Sequence, residues 1–280
     1  RQTERRRETD RQRERKRRIE EEGRGLRCCG GLLTGRETYG KEGETYRRGA
    51  TMSAVGGDEG EKREYALEAE QELRIECDEE SKVGFTVTEG AAEVFGTELA
   101  VGVEYELEGT ALAVFSWKGC RVQVTGTYHA YTASETPMPV YLNVAEMLHK
   151  ERESRAGEGK GGPRVMVVGP ADTGKSTLAR ILSAYEARKS GEVALVDLDP
   201  GQGDLAVPGA LAAVRVNRPA SVREGYDHMA PLSVYYGHTS PGENRRLYTT
   251  LCGTLVGAVD AAAEANARLR CGGMLINTCG

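Results

Sequence analysis

The sequence lacks three features that would assign the protein to a particular class at once. No stretch approaches the ~18 to 20 consecutive apolar residues that a membrane-spanning helix needs. The basic N-terminus has no apolar core of the kind found in signal peptides. The seven cysteines are odd in number and form no CxxC pair with metal-ligand spacing. We therefore expect reduced structural thiols, no membrane partner, and a protein of the cytosol or nucleus.

Charge is distributed unevenly along the chain. Residues 1–50 contain 16 Lys and Arg against 10 Asp and Glu, whereas the rest of the chain contains 22 against 33. Because residues 1–22 are nearly all charged or polar, they cannot bury enough apolar surface to offset the loss of chain entropy. We predict a disordered charged segment over residues 1–63. A basic RNA-binding or nuclear-import arm is one alternative, and a leader upstream of Met52 that does not belong to the native protein is another.

Short alternating segments indicate a small all-β domain after this charged segment. The pattern occurs at residues 72–76, 83–87, 101–107, 111–117 and 120–126, with Gly, Asp and Ser between them. The last two segments are separated by Lys118 and Gly119, which predicts a tight hairpin. We expect residues 64–150 to form an N-terminal β-sandwich followed by a linker helix.

The pattern changes after a Gly-rich stretch at residues 157–163, where we place the domain boundary. Strand, loop, helix and strand are then predicted at residues 165–168, 169–175, 176–189 and 193–196. This order is typical of a βαβ unit in a parallel sheet with flanking helices. A further helix at residues 249–269 and a buried strand at 273–277 complete a predicted α/β P-loop kinase domain over 160–280, which we expect to be truncated at its C-terminus.

One motif points directly to nucleotide chemistry. Residues 169–176, GPADTGKS, satisfy the P-loop pattern GxxxxGK[ST] and fall between a predicted strand and a predicted helix. The glycines, beginning with Gly169, let backbone N–H groups and the helix N-terminus point at phosphate oxygens. Lys175 is then the cation for the β- and γ-phosphates, and the Ser176 hydroxyl is a Mg²⁺ ligand. ATP and Mg²⁺ are the expected cofactors.

Two carboxylates follow the next predicted strand, at the edge of the sheet where phosphate sites of α/β folds lie. Asp197 and Asp199 are two residues apart, so on an extended strand they would share one side. One could then act on the Mg²⁺ shell, Asp197 in our assignment, while Asp199 contacts the nucleophile. The alternative is that one of them only caps the following turn. Residues 239–244 form a polar turn that either holds substrate phosphate or is a plain turn.

Several separated stretches carry a resemblance to a known family. They are residues 92–99 (AEVFGTEL), 162–177 (GPRVMVVGPADTGKST), 198–209 (LDPGQGDLAVPG) and 276–280 (INTCG). From about residue 65 onward the chain resembles the polyribonucleotide 5′-hydroxyl kinase subunit of the pre-mRNA cleavage and polyadenylation complex. This family has an N-terminal β-sandwich, a central P-loop kinase domain and a C-terminal domain, in agreement with the predicted layout.

The resemblance implies roles for individual residues. Nucleotide contacts are implied for Glu72, on the adenine side, and for Asp172, Thr173, Gly174, Lys175, Ser176 and Thr177. Lys175 would stabilise the transferring phosphoryl group, and Asp199 would activate the RNA 5′-hydroxyl. Contacts to RNA are assigned to Gln202, Thr239, Asn244 and Thr278.

Two features depart from the family pattern. Residues 278–280 resemble the start of a TxGW element whose Trp stacks on the terminal base, and the chain ends before that Trp. Ala111 stands where the family has a lysine near the nucleotide. We therefore expect this chain alone, without the family's arginine-bearing lid, to bind ATP weakly and to leave RNA unphosphorylated.

The sequence leaves three functions open. The first is a nuclear kinase that transfers the ATP γ-phosphoryl group to RNA 5′ ends, with other 3′-end processing factors as partners. The second is a catalytically silent ATP-binding scaffold of the same machinery. The third is a GTPase or transport ATPase, which the absence of an NKxD guanine motif disfavours. Lys175, Ser176 and Asp199 together favour the first, and RNA is not distinguished from DNA as substrate.

Overall fold

A computed structural model of the chain describes residues 54–55, 62–78, 81–201, 203, 205–226 and 230–280, with the backbone alone at 54–55. All of them belong to one compact unit, Gly40–Gly280. Within the segment predicted to be disordered, residues 54–55 and 62–63 lie in strands, and the rest of that prediction lies outside the described residues. The domain limits at 64, 150 and 160 remain predictions.

Two antiparallel sheets form the β-sandwich. Its ten strands among the described residues are β1 (Ala54–Val55), β2 (Lys62–Leu67), β3 (Gln71–Glu76), β4 (Lys82–Gly90), β5 (Glu93–Val94), β6 (Thr97–Glu98), β7 (Glu104–Glu108), β8 (Ala111–Ser116), β9 (Cys120–Gly126) and β10 (His129–Ala133). One sheet has the order β1-β10-β3-β8-β5-β6, and the other β2-β9-β4-β7. Alternate side chains point inward, so Leu73 and Ile75 of one sheet share a core with Phe85 and Val124 of the other.

The predicted hairpin across Lys118 and Gly119 is wrong. Strand β8 pairs with β3 and β5, whereas β9 pairs with β2 and β4, so the two-residue link carries the chain from one sheet to the other. The Ser116 hydroxyl fixes this corner, because it accepts from Gly119 N (2.9 Å) and donates to Ala91 O (2.7 Å). The alternation of apolar and polar residues shows which face of a strand is buried, but it does not show which other strand it pairs with.

The second domain contains a mixed five-stranded sheet and helices. Its elements are α1 (Met138–Gly157), β11 (Arg164–Val167), α2 (Lys175–Arg188), β12 (Val193–Asp197), β13 (Ala210–Val216), β14 (Leu232–Tyr235), α3 (Arg245–Ala265), α4 (Ala267–Gly272) and β15 (Met274–Asn277). The strand order is β11-β15-β12-β13-β14. Strands β11, β15 and β12 are parallel, as predicted, and β13, which the sequence analysis missed, runs antiparallel to β12 and β14.

Helices cover both faces of this sheet. Along β12, Val193 and Leu195 pack in a cluster with α2, whereas Ala194 and Val196 pack in another with α3 and α4. Because successive side chains of a strand point to opposite faces, an uninterrupted apolar strand requires a helix on each side. The α/β P-loop fold preceded by a β-sandwich is therefore confirmed. No helix in the described part of the chain is long and apolar enough to cross a membrane.

The sandwich packs directly against the helix that follows the P-loop. The buried carboxylate of Glu93 accepts hydrogen bonds from the Tyr185 hydroxyl and from Arg188 (2.6 Å) on α2. One turn earlier, the Arg180 guanidinium lies 4.1 Å from the centre of the Phe95 ring. Burial, together with the neighbouring Glu93 carboxylate, raises the pKa of Tyr185 well above its usual value. These contacts hold α2, and with it the P-loop, in a fixed position against the sandwich.

Candidate active site

The P-loop connects β11 to α2 through two left-handed backbone positions, Asp172 (φ 58°) and Gly174 (φ 79°). This curl gathers the loop N–H groups at the N-terminus of α2, the arrangement that binds phosphate oxygens. Lys175 is buried, and its Nζ donates to Pro170 O across the loop (2.6 Å). The Thr173 hydroxyl donates to the same carbonyl (2.9 Å). The loop therefore positions one cation directly beside its amide groups.

Gly169 packs closely against two side chains of this loop. A Cβ at Gly169 would lie 3.1 Å from Thr173 Oγ1 and 3.8 Å from Lys175 Cδ. A larger residue would therefore require the Thr173 hydroxyl to shift by a few tenths of an ångström. Thr177, also predicted to contact nucleotide, follows Ser176 in the first turn of α2 and is half-buried. Its nucleotide contact remains a prediction.

A continuous chain of hydrogen bonds joins the P-loop to the Asp197 carboxylate and to the backbone of Asp199. Asn277 Nδ2, at the end of β15, donates to Ser176 Oγ (3.0 Å) and to Asp197 Oδ1 (3.0 Å). The same Asp197 oxygen accepts from Asp199 N (3.0 Å). Strand β15 lies between β11 and β12, so parallel pairing brings these residues to one edge of the sheet. The arrangement places the proposed metal ligand and the proposed base in one connected unit.

Asp197 and Asp199 occupy different environments from those predicted. Strand β12 ends at Asp197, so Asp199 lies in the following turn and the two carboxylates do not share one side of a strand. Asp197 is buried, and its Oδ1 accepts from a backbone N–H of that turn, while its predicted contact to Mg²⁺ remains a prediction. Asp199 is half-buried, and its Oδ1 accepts from Gly201 N (2.9 Å). No hydrogen bond from the described residues occupies its Oδ2.

Oxygen donors suited to Mg²⁺ lie in this unit. The described residues hold no cluster of three or more His, Cys, Asp or Glu side chains that could bind a metal by themselves. Mg²⁺ needs only one or two protein oxygens beside water and phosphate. Ser176 Oγ and the Asp197 carboxylate meet that requirement. Asn277 Oδ1 is buried without a hydrogen-bond partner among the described residues, although the Nδ2 of the same amide contacts both of these ligands.

Three of the four residues predicted to contact RNA lie in the described part of the chain. The Thr239 side chain is exposed, while Asn244 caps α3 by accepting from Leu247 N at Oδ1 (3.1 Å). The Thr278 hydroxyl donates to Val167 O (2.8 Å) and so ties β15 to β11. The Asn244 and Thr278 side chains therefore have structural partners. Their contacts to RNA remain predictions, and Gln202 lies outside the described residues.

Glu72 belongs to a polar cluster in the sandwich. Its buried carboxylate accepts from Arg74 Nε (2.6 Å) and from Thr136 Oγ1 (2.7 Å). Burial and the charge of Glu72 raise the pKa of the nearby Tyr141 hydroxyl. Glu72 lies on β3, which pairs with β8. Ala111, on β8, is exposed and pairs with Glu76 at the other end of β3. A contact between Glu72 and adenine remains a prediction.

Two residues near the site were missed by the sequence analysis. Asn277 is the central donor of the hydrogen-bond chain, and the signal for it was a polar residue at the end of a buried strand. The Tyr248 hydroxyl of α3 donates to Leu198 O (2.8 Å) and supports the turn that carries Asp199. Burial, followed by the nearby Cys252 and Cys279 thiols, raises the pKa of Tyr248 far above its usual value, so this donor stays protonated. A lone Tyr in a helix gave no sequence signal.

Family models match both halves of this architecture. The model described as "mRNA cleavage and polyadenylation factor CLP1 P-loop" matches residues 169–280. The model described as "N-terminal beta-sandwich domain of polyadenylation factor" matches residues 66–155. The chain belongs to the Clp1 family.

Individual relatives support this assignment. Polyribonucleotide 5′-hydroxyl-kinase Clp1 of Gallus gallus is 42% identical over 232 residues, covering 82% of this chain and 55% of the relative. The Homo sapiens protein of the same name is 42% identical over 218 residues, covering 77% and 51%. For the Clp1 homolog of Dictyostelium discoideum the values are 42% over 215 residues, 76% and 47%. The chain therefore spans about half the length of the curated Clp1 relatives it matches.

Solved structures of Clp1p share this fold. The complex of wild-type Clp1p with Pcf11p has a TM-score of 0.70 and 22% identity, covering 80% of this chain and 55% of that one. A second structure concerns the interface between Pcf11p and Clp1p and ATP loss in a point mutant, with a TM-score of 0.72 and 24% identity over the same shares. At this identity the likeness supports the Clp1 fold alone.

Proposed function

We propose that the full-length protein is an ATP-dependent kinase that phosphorylates the 5′-hydroxyl of RNA. The observation that carries the proposal is the hydrogen-bond chain from Ser176 through Asn277 and Asp197 to Asp199. It joins a complete P-loop to the Asp197 carboxylate and, through the Asp199 backbone N–H, to the turn that carries the Asp199 carboxylate. The relatives named polyribonucleotide 5′-hydroxyl-kinase support the choice of acceptor.

Different residues would carry out the separate tasks of phosphoryl transfer. P-loop amides and Lys175 hold the β- and γ-phosphates and stabilise the charge of the transferring group. Asp199 Oδ2 accepts the proton of the RNA 5′-hydroxyl as that oxygen bonds to the γ-phosphorus. The bond from the γ-phosphorus to its bridging oxygen breaks, and ADP leaves with the electron pair. Because Gly201 N already holds Asp199 Oδ1, the carboxylate keeps one orientation during this step.

Ser176 and Asp197 would hold Mg²⁺, which neutralises the negative charge shared by the β- and γ-phosphates. Asn277 fixes both ligands through the two hydrogen bonds that it donates. In other metal sites, removing such an orienting group costs about 10- to 100-fold in metal affinity. The chain thus supplies both a metal position and a support that keeps it rigid.

Labelled-phosphate transfer by the full-length protein tests this proposal. The assay uses [γ-³²P]ATP with two oligoribonucleotides of one sequence, one with a 5′-hydroxyl and one with a 5′-phosphate. We expect label on the first RNA alone. Absence of label from both, in a preparation that binds ATP, would rule out the kinase activity.

A second candidate is an ATP-binding scaffold of pre-mRNA 3′-end processing. The specific observation in its favour is that a relative of the same fold was solved in complex with Pcf11p. We include nuclear localisation and association with 3′-end processing factors in the proposal for either activity. A scaffold predicts ATP-dependent capture of such a factor by a protein that transfers no phosphate. Capture that is the same with and without ATP would exclude a role for the nucleotide in assembly.

A further inference from the structure

A groove of about 340 Å³ opens at the end of β14, beside the turn that carries Asp199. It is lined by Pro208, Gly209, Tyr235, Gly237, His238, Thr239 and the acidic Glu243. None of these residues has a role in the phosphoryl-transfer chemistry described above. The groove is therefore a candidate binding surface in addition to the residues that carry out phosphoryl transfer.

Tyr235 lines the groove and is unusually exposed for a large aromatic residue. It is 75% exposed, the highest value among the large hydrophobic residues that the structure describes. Its ring edges lie near two glycines: a Cβ at Gly237 would be 3.5 Å from Cε1, and one at Gly209 would be 3.8 Å from Cε2. The ring therefore spans two positions that have no side chain, while most of its surface faces solvent.

The backbone beneath the ring is fixed. Gly209 O accepts from Tyr236 N (2.8 Å) and from Gly237 N (2.9 Å), which locks the two glycine segments together. Gly209 and Gly237 have φ angles of 87° and 84°, values that other residues seldom adopt. Because the backbone beneath the exposed ring is already rigid, a base that stacks on the ring would lose little binding free energy to the ordering of this backbone.

The groove is continuous with the proposed acceptor site. Gly209 N donates to Pro200 O (2.8 Å), so the Asp199 turn and the groove share backbone contacts. A Cβ at Gly201 would lie 3.1 Å from Thr239 O and 3.2 Å from Asp199 Oδ1. Thr239 therefore belongs to the groove and borders the carboxylate turn at the same time. A polymer whose end lies at Asp199 would enter this groove directly.

Charged residues of both signs occur where the groove ends in the sequence. Glu243 lines the groove, and helix α3 begins just after it with Arg245 and Arg246. Both arginines are exposed, and no carboxylate within the described part of the chain forms an ion pair with either. An exposed aromatic ring, followed in the chain by two exposed arginines, is a combination found in proteins that bind single-stranded nucleic acid, in which bases stack and phosphates meet arginine.

We propose that this groove binds RNA downstream of the 5′-terminal nucleotide, with one base stacked on Tyr235. The proposal rests on the proposed function, because the RNA end at Asp199 determines which part of the strand meets the ring. Stacking is tolerant of sequence, since every base presents a π-face. The groove would therefore extend the RNA footprint without adding sequence preference.

Equilibrium binding of 3′-fluorescein hexaribonucleotides with a 5′-hydroxyl tests the proposal in the full-length protein. Two RNAs are compared by fluorescence anisotropy, one intact and one abasic at the second and third nucleotides. Tyr235→Ala should weaken binding of the intact RNA about fivefold to a hundredfold, the range for loss of one stacked base. The abasic RNA should bind the wild type weakly, and its affinity for the Tyr235→Ala variant should be the same as for the wild type. Tyr235→Phe should bind like the wild type, since no hydrogen bond from the described residues uses its hydroxyl.

Val207→Ala is the matched control, because Val207 is 66% exposed on the neighbouring loop and does not line the groove. Intact RNA binding within twofold of the wild type in Tyr235→Ala would overturn the proposal. Equal weakening of both RNAs would also overturn it, since the effect would then be structural, as would a wild type that binds neither RNA. If base-dependent loss is found in a protein that transfers no phosphate, the kinase proposal fails and the groove assignment stands.

Discussion

Asn277 shows how one side chain can determine the geometry of this site. It is 3% exposed, and both hydrogens of its amide are used, one toward Ser176 and one toward Asp197. Asp197 is itself 5% exposed, so its charge depends on such donors. Loss of the amide would leave a buried carboxylate with fewer donors and a serine hydroxyl free to rotate. Both effects act on the metal position rather than on the RNA.

We therefore expect Asn277→Ala to change the magnesium dependence of transfer. The concentration of Mg²⁺ at half-maximal rate should rise about 10- to 100-fold, as for other groups that orient metal ligands. Stability should fall by about 1 to 3 kcal/mol, the cost of leaving a buried polar group unsatisfied. A magnesium titration of the transfer rate, together with urea unfolding, measures both quantities.

Asn266→Ala provides the control for this prediction. Asn266 caps α4, accepting from Arg268 N (3.0 Å) and Leu269 N (3.2 Å), and it takes no part in the hydrogen-bond chain at the P-loop. Its Nδ2 also donates to the buried Glu192 carboxylate (2.9 Å), so its loss should lower stability by about 1 to 3 kcal/mol and leave the magnesium dependence unchanged. If Asn277→Ala also leaves the magnesium dependence unchanged, Asn277 does not orient the metal ligands.

At the scale of secondary-structure elements, close backbone crossings determine which glycines the fold requires. Helix α4 ends where it meets the start of β12, and a Cβ on Gly272 would lie only 1.4 Å from Glu192 O. This crossing aligns β15 with β12, which in turn places Asn277 beside Asp197. The crossing lies at the opposite end of the strands from the P-loop, yet it fixes the register on which the site depends.

Gly272→Ala should therefore destabilise the protein by more than about 3 kcal/mol, because the backbone must move to admit the methyl group. Gly253→Ala is the matched control: Gly253 lies in α3, and a Cβ there would meet nothing within 4 Å. Alanine should raise stability at that position by about 0.5 to 1 kcal/mol. Thermal unfolding of the two variants should show opposite signs. Equal melting temperatures would refute the steric argument.

For the whole molecule, local patterns revealed most of the helices and strands of the P-loop domain and did not reveal how the strands pair. The P-loop, α2 and β12 follow from one motif and two apolar runs, since their geometry depends on neighbours in sequence. The separation of β8 from β9 into different sheets depends on partners elsewhere in the chain, so alternation did not reveal it. Strand β13 was missed although its burial is nearly continuous, because short apolar runs lack a distinguishing period.

In the candidate site, too, local sequence patterns identified some residues, whereas contacts between distant segments could not be predicted. Lys175 and Ser176 were identifiable from spacing alone, and the position of Asp199 beyond a strand was suggestive. The hydrogen-bond chain was not foreseeable, because it requires β15 to lie between β11 and β12. The groove at Tyr235 likewise depends on two glycine segments, near residues 209 and 237, that meet only in the folded chain. Contacts between distant segments thus account for most of what the sequence analysis missed.

The central claim is that Asp199 accepts the proton of the RNA 5′-hydroxyl while the P-loop holds ATP. The most direct measurement is the single-turnover rate of labelled-phosphate transfer by full-length Asp199→Asn, with ATP affinity determined on the same preparation. An amide keeps the shape of the carboxylate and the hydrogen bond from Gly201 N, yet it cannot accept the proton. We predict unchanged ATP affinity and a transfer rate lowered about 10²- to 10⁴-fold. Transfer within about tenfold of the wild type, roughly 1.4 kcal/mol in the barrier, would contradict the assignment of Asp199 as the base.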